Sequence, residues 1–363
     1  MKLLFITKYQ SGNGGTETVM TKTFAGLAKD NDMTFVQGIA SADQTWLQRI
    51  DPRVKILRGM RAGAPWQPLY AWRLAHSDAD IVIAVDSYSI KLATHLRALL
   101  HKTYRVVSWI HFSLSDAPSV HIHDLLKADA HIAISSGIQD EYLRLGVPAN
   151  RIGLTYNPTD RTTQRVALDQ SPVFKLVYVG RIQLHGQKNL SYLFNSLAKT
   201  TAPIHLDVYG GGPELPAAKL LVHRLHIAAQ VTFHGWVNDV WAHIHCANAL
   251  VLTSKFEGFP MALLEALKRG LPVICPHLAS GSDDLVEPGT NGQLFDASDP
   301  EALTTLLDQP ELFTRLQQPQ IIHSVAKFSF PAYIDRFNQA LERFAQLNPS
   351  TVPDVAKSSA YSA

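Results

Sequence analysis

The sequence predicts an α/β fold made of two doubly wound parallel sheets. Short apolar runs alternate with segments of helical length along the chain of 363 residues, which is typical of repeated strand–helix units. The apolar runs are continuous rather than alternating, as expected for parallel strands that are covered on both faces. The pattern restarts near residue 173 after a polar stretch, and the length suits two domains.

The predicted strands are short segments rich in Val, Ile and Leu. In the first half of the chain they cover residues 3–7, 33–39, 81–86, 105–110 and 131–135. In the second half they cover residues 175–180, 205–209, 231–236, 249–253, 272–275 and 293–295. Doubly wound sheets bind ligands at the carboxyl ends of their strands, so the residues that follow each strand are candidates for a site.

The domain boundaries follow from local composition. The polar segment 156–172 carries two prolines and predicts the linker between the domains. We therefore expect a first domain over residues 1–160 and a second domain over residues 173–330. Residues 331–348 predict a final helix, and the tail 349–363, rich in Ser, Ala and Pro, has the composition of a disordered end.

Composition excludes several classes of protein. The formal net charge of +2 at pH 7 is too small to argue for nucleic-acid binding, and no apolar run has the length of a membrane span. Cys246 and Cys275 form neither a disulfide framework nor a metal-ligand cluster, so a cytoplasmic setting is expected. The apolar start of the chain is broken by Lys8 and Gln10, which predicts a buried strand rather than a signal peptide.

The segment 254–267 is the most informative part of the sequence. It follows an apolar run and opens a helix, where Pro260 suits the first helical position because its missing N–H costs nothing there. The backbone N–H groups of Phe259, Met261 and Ala262 would point out of this helix N-terminus, where an anion is favoured. These features predict a binding site for a phosphate group.

Two carboxylates flank this predicted anion site. Glu257 lies on the loop before the helix, and Glu265 lies more than one turn inside it, among apolar residues where a bare carboxylate would be costly. Carboxylates accept hydrogen bonds from hydroxyl groups. The segment therefore predicts a site for a ligand that is both phosphorylated and rich in hydroxyls.

The spacing of Glu257 and Glu265 resembles the E-x7-E motif of retaining glycosyltransferases of family 4, which have the GT-B architecture. The segments most similar to bacterial lipopolysaccharide 1,6-galactosyltransferases are 109–113, 133–138, 180–190 and 256–292. The resemblance implies two Rossmann-like domains facing a cleft, with the last helix packed back on the first domain. It also implies that Glu257 contacts hydroxyls of the transferred sugar and that Glu265 binds the ribose; the alternative for Glu265 is an exposed helix residue.

Two basic residues follow a predicted strand of the second domain. Arg181 comes directly after Gly180, and Lys188 precedes a helix, so two cations and a helix N-terminus meet where a phosphate could bind. The resemblance implies that both bind the donor diphosphate and stabilise the leaving group; the alternative is a solvated loop. It also implies that Trp236 and Val237 recognise the nucleobase, although core packing of Trp236 is an equally good interpretation.

Two features of the first domain point to the same ligand. Gly14 and Gly15 lie between the first strand and a helix, and the resemblance places them over the donor diphosphate; the alternative is a flexible turn. The resemblance implies that His111 contacts the transferred sugar near its reacting carbon. The chain has 16 histidines, and the alternative is that His111 is an ordinary surface histidine whose hydrogen bonds are satisfied. Ser135 and Ser136 either face the cleft or cap a helix.

The sequence thus predicts a retaining glycosyltransferase of cell-surface glycan synthesis. It would move a hexose from a UDP-sugar to a saccharide or lipid-linked acceptor. Galactose or glucose is the expected hexose, and N-acetylglucosamine is the less favoured alternative. No D-x-D pair follows a predicted strand, so no metal or other cofactor is expected, and Arg181 and Lys188 would replace the metal. The alternatives are a non-hydrolysing UDP-sugar epimerase, disfavoured by the E-x7-E motif, and a non-catalytic sugar-binding relative, disfavoured by the intact site residues.

Basic and aromatic residues of the first domain suggest contact with a membrane. The basic stretch 53–61 precedes Trp66, Tyr70 and Trp72, and a second basic stretch covers residues 91–105. Cations with Trp and Tyr suit an anionic lipid surface. This predicts peripheral binding to the inner face of the cell membrane; the alternative is a solvated basic face with the Trp residues packed inward.

Overall fold

The computed structural model describes residues 1–12, 14–278 and 280–348. The chain divides into two compact units, the first formed by Met1–Tyr156 with the chain from Tyr333 onward, and the second by Asn157–Ala332. Each unit is built on one parallel sheet, so the predicted α/β class with two doubly wound sheets is confirmed. The tail predicted to be disordered, residues 349–363, lies outside the described residues.

The first unit contains a seven-stranded sheet. Its strands are β1 (Lys2–Thr7), β2 (Asp32–Gln37), β3 (Lys55–Leu57), β4 (Ile81–Ala84), β5 (Arg105–Trp109), β6 (Ala130–Ala133) and β7 (Ile152–Leu154). Its helices are α1 (Gly15–Leu27), α2 (Trp66–Ala75), α3 (Ser87–Leu99), α4 (Ile122–Leu125) and α5 (Ser136–Arg144). The strand order is β3-β2-β1-β4-β5-β6-β7, and all neighbours are parallel.

The second unit contains a six-stranded sheet. Its strands are β8 (Phe174–Val179), β9 (Ile204–Tyr209), β10 (Val231–Gly235), β11 (Ala249–Val251), β12 (Val273–Pro276) and β13 (Gly292–Phe295). Its helices are α6 (Leu190–Lys199), α7 (Leu215–Arg224), α8 (Val240–His243), α9 (Met261–Lys268), α10 (Ser282–Leu285), α11 (Ala302–Leu307), α12 (Glu311–Thr314) and α13 (Gln318–Ser324). The strand order is β10-β9-β8-β11-β12-β13, again fully parallel.

The last helix, α14 (Phe330–Ala345), belongs to the first unit from Tyr333 onward. The hydroxyl groups of Tyr333 and Thr23 share a buried hydrogen bond of 2.6 Å, which joins this helix to α1. The ring of Phe337 packs edge-on against Trp109 of β5, with 5.4 Å between the ring centroids. These contacts make the end of the chain part of the core of the first unit.

The sheets place the candidate residues at their carboxyl edges. Strands β4, β6, β11 and β12 are buried at every residue, which explains why their sequences are apolar apart from His131 of β6. The direction of winding reverses between β1 and β4 in the first sheet and between β8 and β11 in the second. Doubly wound sheets bind ligands beyond the strand ends at such a reversal, and the loops of Gly14, Arg181 and Glu257 follow these strands.

Candidate active site

An ion pair between Lys188 and Glu257 lies at the carboxyl edge of the second sheet. Lys188 Nζ is 2.5 Å from Glu257 Oε1, and the two side chains are 15% and 10% exposed. Lys188 lies between β8 and α6 and Glu257 between β11 and α9, so the pair joins loops after neighbouring strands. Thr253 Oγ1 donates a hydrogen bond of 3.0 Å to the carbonyl of Lys188. The fold thus brings together two residues that the sequence assigned to adjacent groups of one ligand.

Gln187 connects Arg181 to the loop that carries Glu257. Its Nε2 donates to the carbonyl of Phe256 at 3.0 Å and lies 3.4 Å from Glu257 Oε2. Its Oε1 accepts a hydrogen bond of 3.1 Å from the guanidinium of Arg181. The side chain of Arg181 is exposed, so it can reach a ligand while Gln187 sets its direction. This role of Gln187 was not predicted from the sequence, because Phe256 and Glu257 lie about 70 residues further along the chain.

Close backbone packing at this edge requires glycine. Gly210, after β9, has φ +152°, and a Cβ there would lie 1.8 Å from the carbonyl oxygen of Gly180. The N–H of Gly210 donates to the carbonyl of Gly235 at 2.8 Å, and the N–H of Ile182 donates to the carbonyl of Gly211 at 2.9 Å. The loops after β8, β9 and β10 are therefore joined, which fixes the backbone from which the arginine of the site projects.

Helix α9 begins at Met261, one residue later than the sequence predicts. Pro260 has φ −74° and ψ 93° and occupies the capping position, where its missing N–H still leaves no donor unsatisfied. Phe259 is buried, and its ring packs edge-on against Phe328 with 5.4 Å between centroids. The ring of Phe259 therefore belongs to the core, and any contact of this residue with a ligand would come from its backbone.

Glu265 of α9 is half-buried and is bound by a tryptophan. Its Oε2 accepts a hydrogen bond of 2.9 Å from Trp241 Nε1. Trp241 lies in α8 and is buried, and the guanidinium of Arg269 lies 4.6 Å from the centre of its ring. The alternative that Glu265 is an exposed helix residue is therefore wrong.

Trp236 and Val237 follow β10 at the same edge. Trp236 is 57% exposed, so the alternative that it packs in the core is wrong. A Cβ built on Gly211 would lie 3.7 Å from the Cβ of Trp236, which places this tryptophan beside the glycine-rich loop after β9. Val237 is half-buried. An exposed indole at a strand end is available to stack on a planar group, and nucleobase recognition stays a prediction.

His111 follows β5 in the first unit and is buried. Burial lowers the pKa of its imidazole to about 3, so the ring is neutral at pH 7. Its centroid lies 4.5 Å from that of Trp109, and its Nε2 has no hydrogen-bond partner within the part of the chain that the structure describes. The alternative of a satisfied surface histidine is therefore wrong. A neutral imidazole with an unpaired nitrogen is suited to an uncharged hydroxyl group.

Acid should destabilise the protein partly through His111. The pKa of His111 in the folded protein is about 3, below the usual 6.5. The free energy of unfolding that this residue contributes is therefore fully present above pH 6.5 and is lost as the pH falls towards 3. The loss is about 2 kcal/mol at pH 5. We expect His111→Gln to lose less thermal stability between pH 7 and pH 5 than the wild type. The control His123→Gln changes a side chain that is 87% exposed and should follow the wild type. Equal acid sensitivity in all three proteins would contradict the buried neutral state.

The glycine-rich loop after β1 is held by Glu17 of α1. Glu17 is buried, and its Oε1 accepts hydrogen bonds from the N–H of Gly12 at 2.6 Å and from Ser11 Oγ at 2.9 Å. Gly14 is the capping residue of α1, and Gly15 is its first residue. Glu17 was not predicted from the sequence, although an acid in the first turn of a helix after a glycine-rich loop is a recognisable signal.

Glu141 of α5 holds the loop that follows His111. Three successive residues of this loop donate hydrogen bonds to its carboxylate: Ser113 Oγ at 3.0 Å, the N–H of Leu114 at 2.8 Å and Ser115 Oγ at 2.7 Å. Ser135 caps α5, because its Oγ accepts a hydrogen bond of 3.2 Å from the N–H of Ile138. The helix-capping interpretation of Ser135 is therefore correct, and Glu141 is a supporting residue that the sequence did not reveal.

The local charges of three side chains suit an anionic ligand. Arg181 and Lys188 supply two positive charges and Glu257 one negative charge, so these three side chains sum to +1. Across residues 1–12, 14–278 and 280–348, no group of three or more His, Cys, Asp or Glu side chains could hold a metal ion. Independence from a metal stays a prediction that needs an activity measurement.

Comparisons with known proteins match this architecture. Family models described as Glycosyltransferase Family 4 and Glycosyl transferases group 1 match residues 13–163 and 160–312. The lipopolysaccharide 1,6-galactosyltransferase of Salmonella typhimurium is 34% identical over 312 residues, which are 81% of this chain and 85% of the relative. The apo structure of the lipopolysaccharide outer core galactosyltransferase WaaB has a TM-score of 0.81 at 30% identity, over 94% of this chain and 99% of that one.

A more distant solved structure has the same fold. Anabaena HepE, solved in complex with UDP and glucose, gives a TM-score of 0.76 at 18% identity, over 94% of this chain and 99% of that one. The two parallel sheets and these neighbours define the GT-B class. The chain matches 85% of the length of a relative that is 34% identical. It therefore belongs to glycosyltransferase family 4 and is a hexosyltransferase.

Proposed function

We propose that the protein is a retaining glycosyltransferase that transfers a hexose from a UDP-sugar to a saccharide or lipid-linked acceptor in lipopolysaccharide core synthesis. The observation that carries this proposal is the Lys188–Glu257 ion pair beside Arg181. A nucleotide-sugar presents a diphosphate next to sugar hydroxyls, and these groups match two cations and a carboxylate. The relative named as a galactosyltransferase favours galactose over glucose, and N-acetylglucosamine comes third.

Donor binding would exchange the partners of this pair. Diphosphate oxygens replace the carboxylate at Lys188 Nζ, and Glu257 then accepts hydrogen bonds from hydroxyls of the transferred sugar. The acceptor oxygen bonds to the anomeric carbon on the face from which UDP leaves, while the bond from that carbon to the phosphate oxygen breaks. The leaving phosphate takes the acceptor proton, so no separate general base is required, and attack on the leaving-group face requires no enzyme nucleophile. Arg181 and Lys188 stabilise the negative charge that develops on the diphosphate.

The other site residues complete the proposed recognition of the donor. Glu265 binds the ribose hydroxyls, and Trp236 with Val237 recognises the nucleobase. The resemblance to family 4 supports contact of His111 with the transferred sugar, and the neutral, unpaired imidazole nitrogen has the right chemistry. Gly14 and Gly15, with the backbone at Phe259, Pro260 and Met261, would lie near the diphosphate.

A donor screen tests this proposal. Binding to the native state raises the apparent unfolding temperature, so UDP, UDP-galactose and UDP-glucose should stabilise the protein, whereas GDP-mannose should not. Transfer is then measured as UDP release with and without a truncated lipopolysaccharide acceptor. Conversion of the UDP-sugar without an acceptor would favour an epimerase, and binding without turnover would favour a non-catalytic relative. Absence of UDP binding at millimolar concentration would contradict the proposed function.

Metal removal should leave activity intact. In the proposed mechanism, Arg181 and Lys188 supply the positive charge that a divalent cation supplies in other nucleotide-sugar enzymes. Transfer rates with EDTA and with added manganese or magnesium should therefore agree within about twofold, a difference smaller than 0.5 kcal/mol. Loss of activity in EDTA that manganese or magnesium restores would rule out the metal-free mechanism.

We propose that the first unit binds an anionic membrane through α3. Trp66 and Tyr70 are buried, so the predicted aromatic anchors at these positions are wrong, although Trp72 is exposed. A groove of about 500 Å³ runs along α3 and is lined by Tyr88, Lys91, Leu92, Thr94, His95, Ala98 and Lys127. Leu99 and Leu100, at the end of α3, are exposed. Lys127 is paired with Asp124 at 2.6 Å, so Lys91 is the lysine of the groove that is proposed to meet anionic headgroups.

The second basic stretch is only partly available to a membrane. Arg97 forms a buried ion pair with Asp129, and Arg105 donates to the carbonyl of Leu347, so both arginines have structural roles. Lys91 remains exposed on α3. No helix among the described residues has the length and apolar character needed to cross a membrane. The surface of α3 therefore carries the proposed contact.

Vesicle binding should depend on α3 and on salt. The protein should sediment with vesicles containing phosphatidylserine at low ionic strength and be released at high salt, because the attraction is screened. The double variant Lys91→Glu/Leu99→Ser should bind at least about tenfold more weakly, since each basic residue contributes about 1 kcal/mol near such a surface. Leu220→Ser changes an exposed leucine of the second unit and is the control. Equal binding of all three proteins would rule out α3 as the membrane surface.

A further inference from the structure

We propose that Trp241 is a positioning residue that holds the carboxylate of Glu265 in the orientation that binds the ribose. This inference rests on the proposed function. Trp241 lies 24 residues before Glu265 and outside the E-x7-E segment, and its Nε1–H donates to Oε2 at 2.9 Å. This distance lies in the range of hydrogen bonds from N–H groups to carboxylates.

Trp241 is itself held in place by several contacts. Gln164 Nε2 donates a hydrogen bond of 2.5 Å to the carbonyl of Trp241. The guanidinium of Arg269 lies over the indole ring at 4.6 Å and forms an ion pair of 2.5 Å with Asp160. The side chain of Arg269 is 5% exposed. The indole therefore lies against the guanidinium of Arg269, just after α9, and the backbone of Trp241 is tied to Gln164 of the segment that leads into the second sheet.

The indole N–H is a neutral donor, so it orients the carboxylate of Glu265 without adding a positive charge of its own. Arg269 donates to the backbone carbonyl of Glu265 at 3.0 Å and to Asp160. A carboxylate held in advance loses less conformational entropy when two adjacent ribose hydroxyls bind.

Two variants separate positioning from packing. Trp241→Phe removes the N–H and keeps an aromatic ring for Arg269. Replacement of Trp241 by 3-benzothienylalanine puts sulfur in the place of the N–H and preserves the volume, so it guards against misfolding of the phenylalanine variant. Calorimetry measures the Kd of UDP and of 2′,3′-dideoxy-UDP for the wild type, both variants, Glu265→Gln and the double variant Trp241→Phe/Glu265→Gln.

We expect both Trp241 variants to bind UDP about five- to tenfold more weakly, the size of one lost hydrogen bond, and to bind dideoxy-UDP as the wild type does. KM for the UDP-sugar should rise while kcat changes little. The double variant should lose no more UDP affinity than Glu265→Gln alone, because both changes remove one interaction.

Other results would overturn the inference. An equal loss for both nucleotides would show that Trp241 only supports the fold, and unchanged UDP affinity in the benzothienyl variant would show that the hydrogen bond has no effect. Equal affinity of the wild type for UDP and dideoxy-UDP would remove the ribose role of Glu265, and with it the inference, but not the proposed function. Failure of the wild type to bind UDP at all would instead refute the proposed function.

Discussion

Lys188→Ala should reduce sugar transfer roughly 10²- to 10³-fold and weaken UDP binding, as expected when one preorganised donor to a developing negative charge is removed. Lys188 Nζ is 2.5 Å from Glu257 Oε1, and shortening its side chain to a methyl group removes this cation from the proposed diphosphate site. Arg181→Ala should follow in the same direction. Steady-state kinetics of UDP release and calorimetry with UDP give the two quantities.

Loss of folding must be separated from loss of function in this variant. Removing Lys188 leaves Glu257 with 10% exposure and without its cation, which is strongly destabilising for a buried pair. Lys199→Ala breaks the exposed pair with Glu301 in the same unit and should leave transfer and stability nearly unchanged. Normal turnover in both Lys188→Ala and Arg181→Ala would refute the assignment of the diphosphate site, and the unfolding temperature shows whether a slow variant is still folded.

Glu257→Gln should lower kcat about 10²-fold while UDP affinity stays the same or rises. The carboxylate competes with the diphosphate for Lys188 in the absence of a donor, so its neutralisation releases the lysine for phosphate. The interaction with the hydroxyls of the transferred sugar is then lost in the transition state, which reduces turnover rather than nucleotide binding. Calorimetry with UDP and kinetics at saturating UDP-sugar measure the two effects separately.

Glu265→Gln is the matched comparison, because it removes the second carboxylate of the E-x7-E spacing. It should mainly weaken UDP affinity, since this carboxylate is assigned to the ribose. If Glu265→Gln impaired turnover at saturating donor and Glu257→Gln impaired only UDP binding, the proposed roles of the two acids would be reversed.

The fold could be predicted from the sequence because parallel strands buried on both faces have a strong local signal. Every predicted strand is present, with ends shifted by at most a few residues. The sequence missed β3 and β7, which have three residues each and lie at the two edges of the first sheet. Strands that are short and only partly buried leave too few apolar residues to show a period.

The residues proposed to contact a ligand were easier to predict than those that support them. Arg181, Lys188 and Glu257 lie on the loops that follow β8 and β11, and the fold joins them through one ion pair and Gln187. Trp241 is an inward-facing residue of a four-residue helix, and its contact with α9 depends on the tertiary fold. A local pattern therefore reveals candidate site residues on the loops after strands, but not the distant side chains that contact them.

Whether an aromatic side chain is buried or exposed was harder to predict from the sequence. Trp66 and Tyr70 occur among basic residues, but Tyr70 shares a hydrogen bond of 2.8 Å with Ser89 and both rings are buried. Trp236 had core packing as an equally good interpretation, yet it is exposed. Tryptophan and tyrosine combine a large apolar ring with a polar group, so their sequence neighbours do not decide which of the two environments they occupy.

The stereochemistry of the product tests the central claim most directly. The protein is incubated with UDP-galactose, whose sugar is α-linked to phosphate, and a truncated lipopolysaccharide acceptor, and the anomeric coupling constant of the purified product is measured by NMR. A retaining transfer predicts an α-linked galactose and one UDP released for each sugar transferred. A β-linked product, or no product with any UDP-hexose despite UDP binding, would contradict the proposed retaining transfer from the Lys188–Glu257 site.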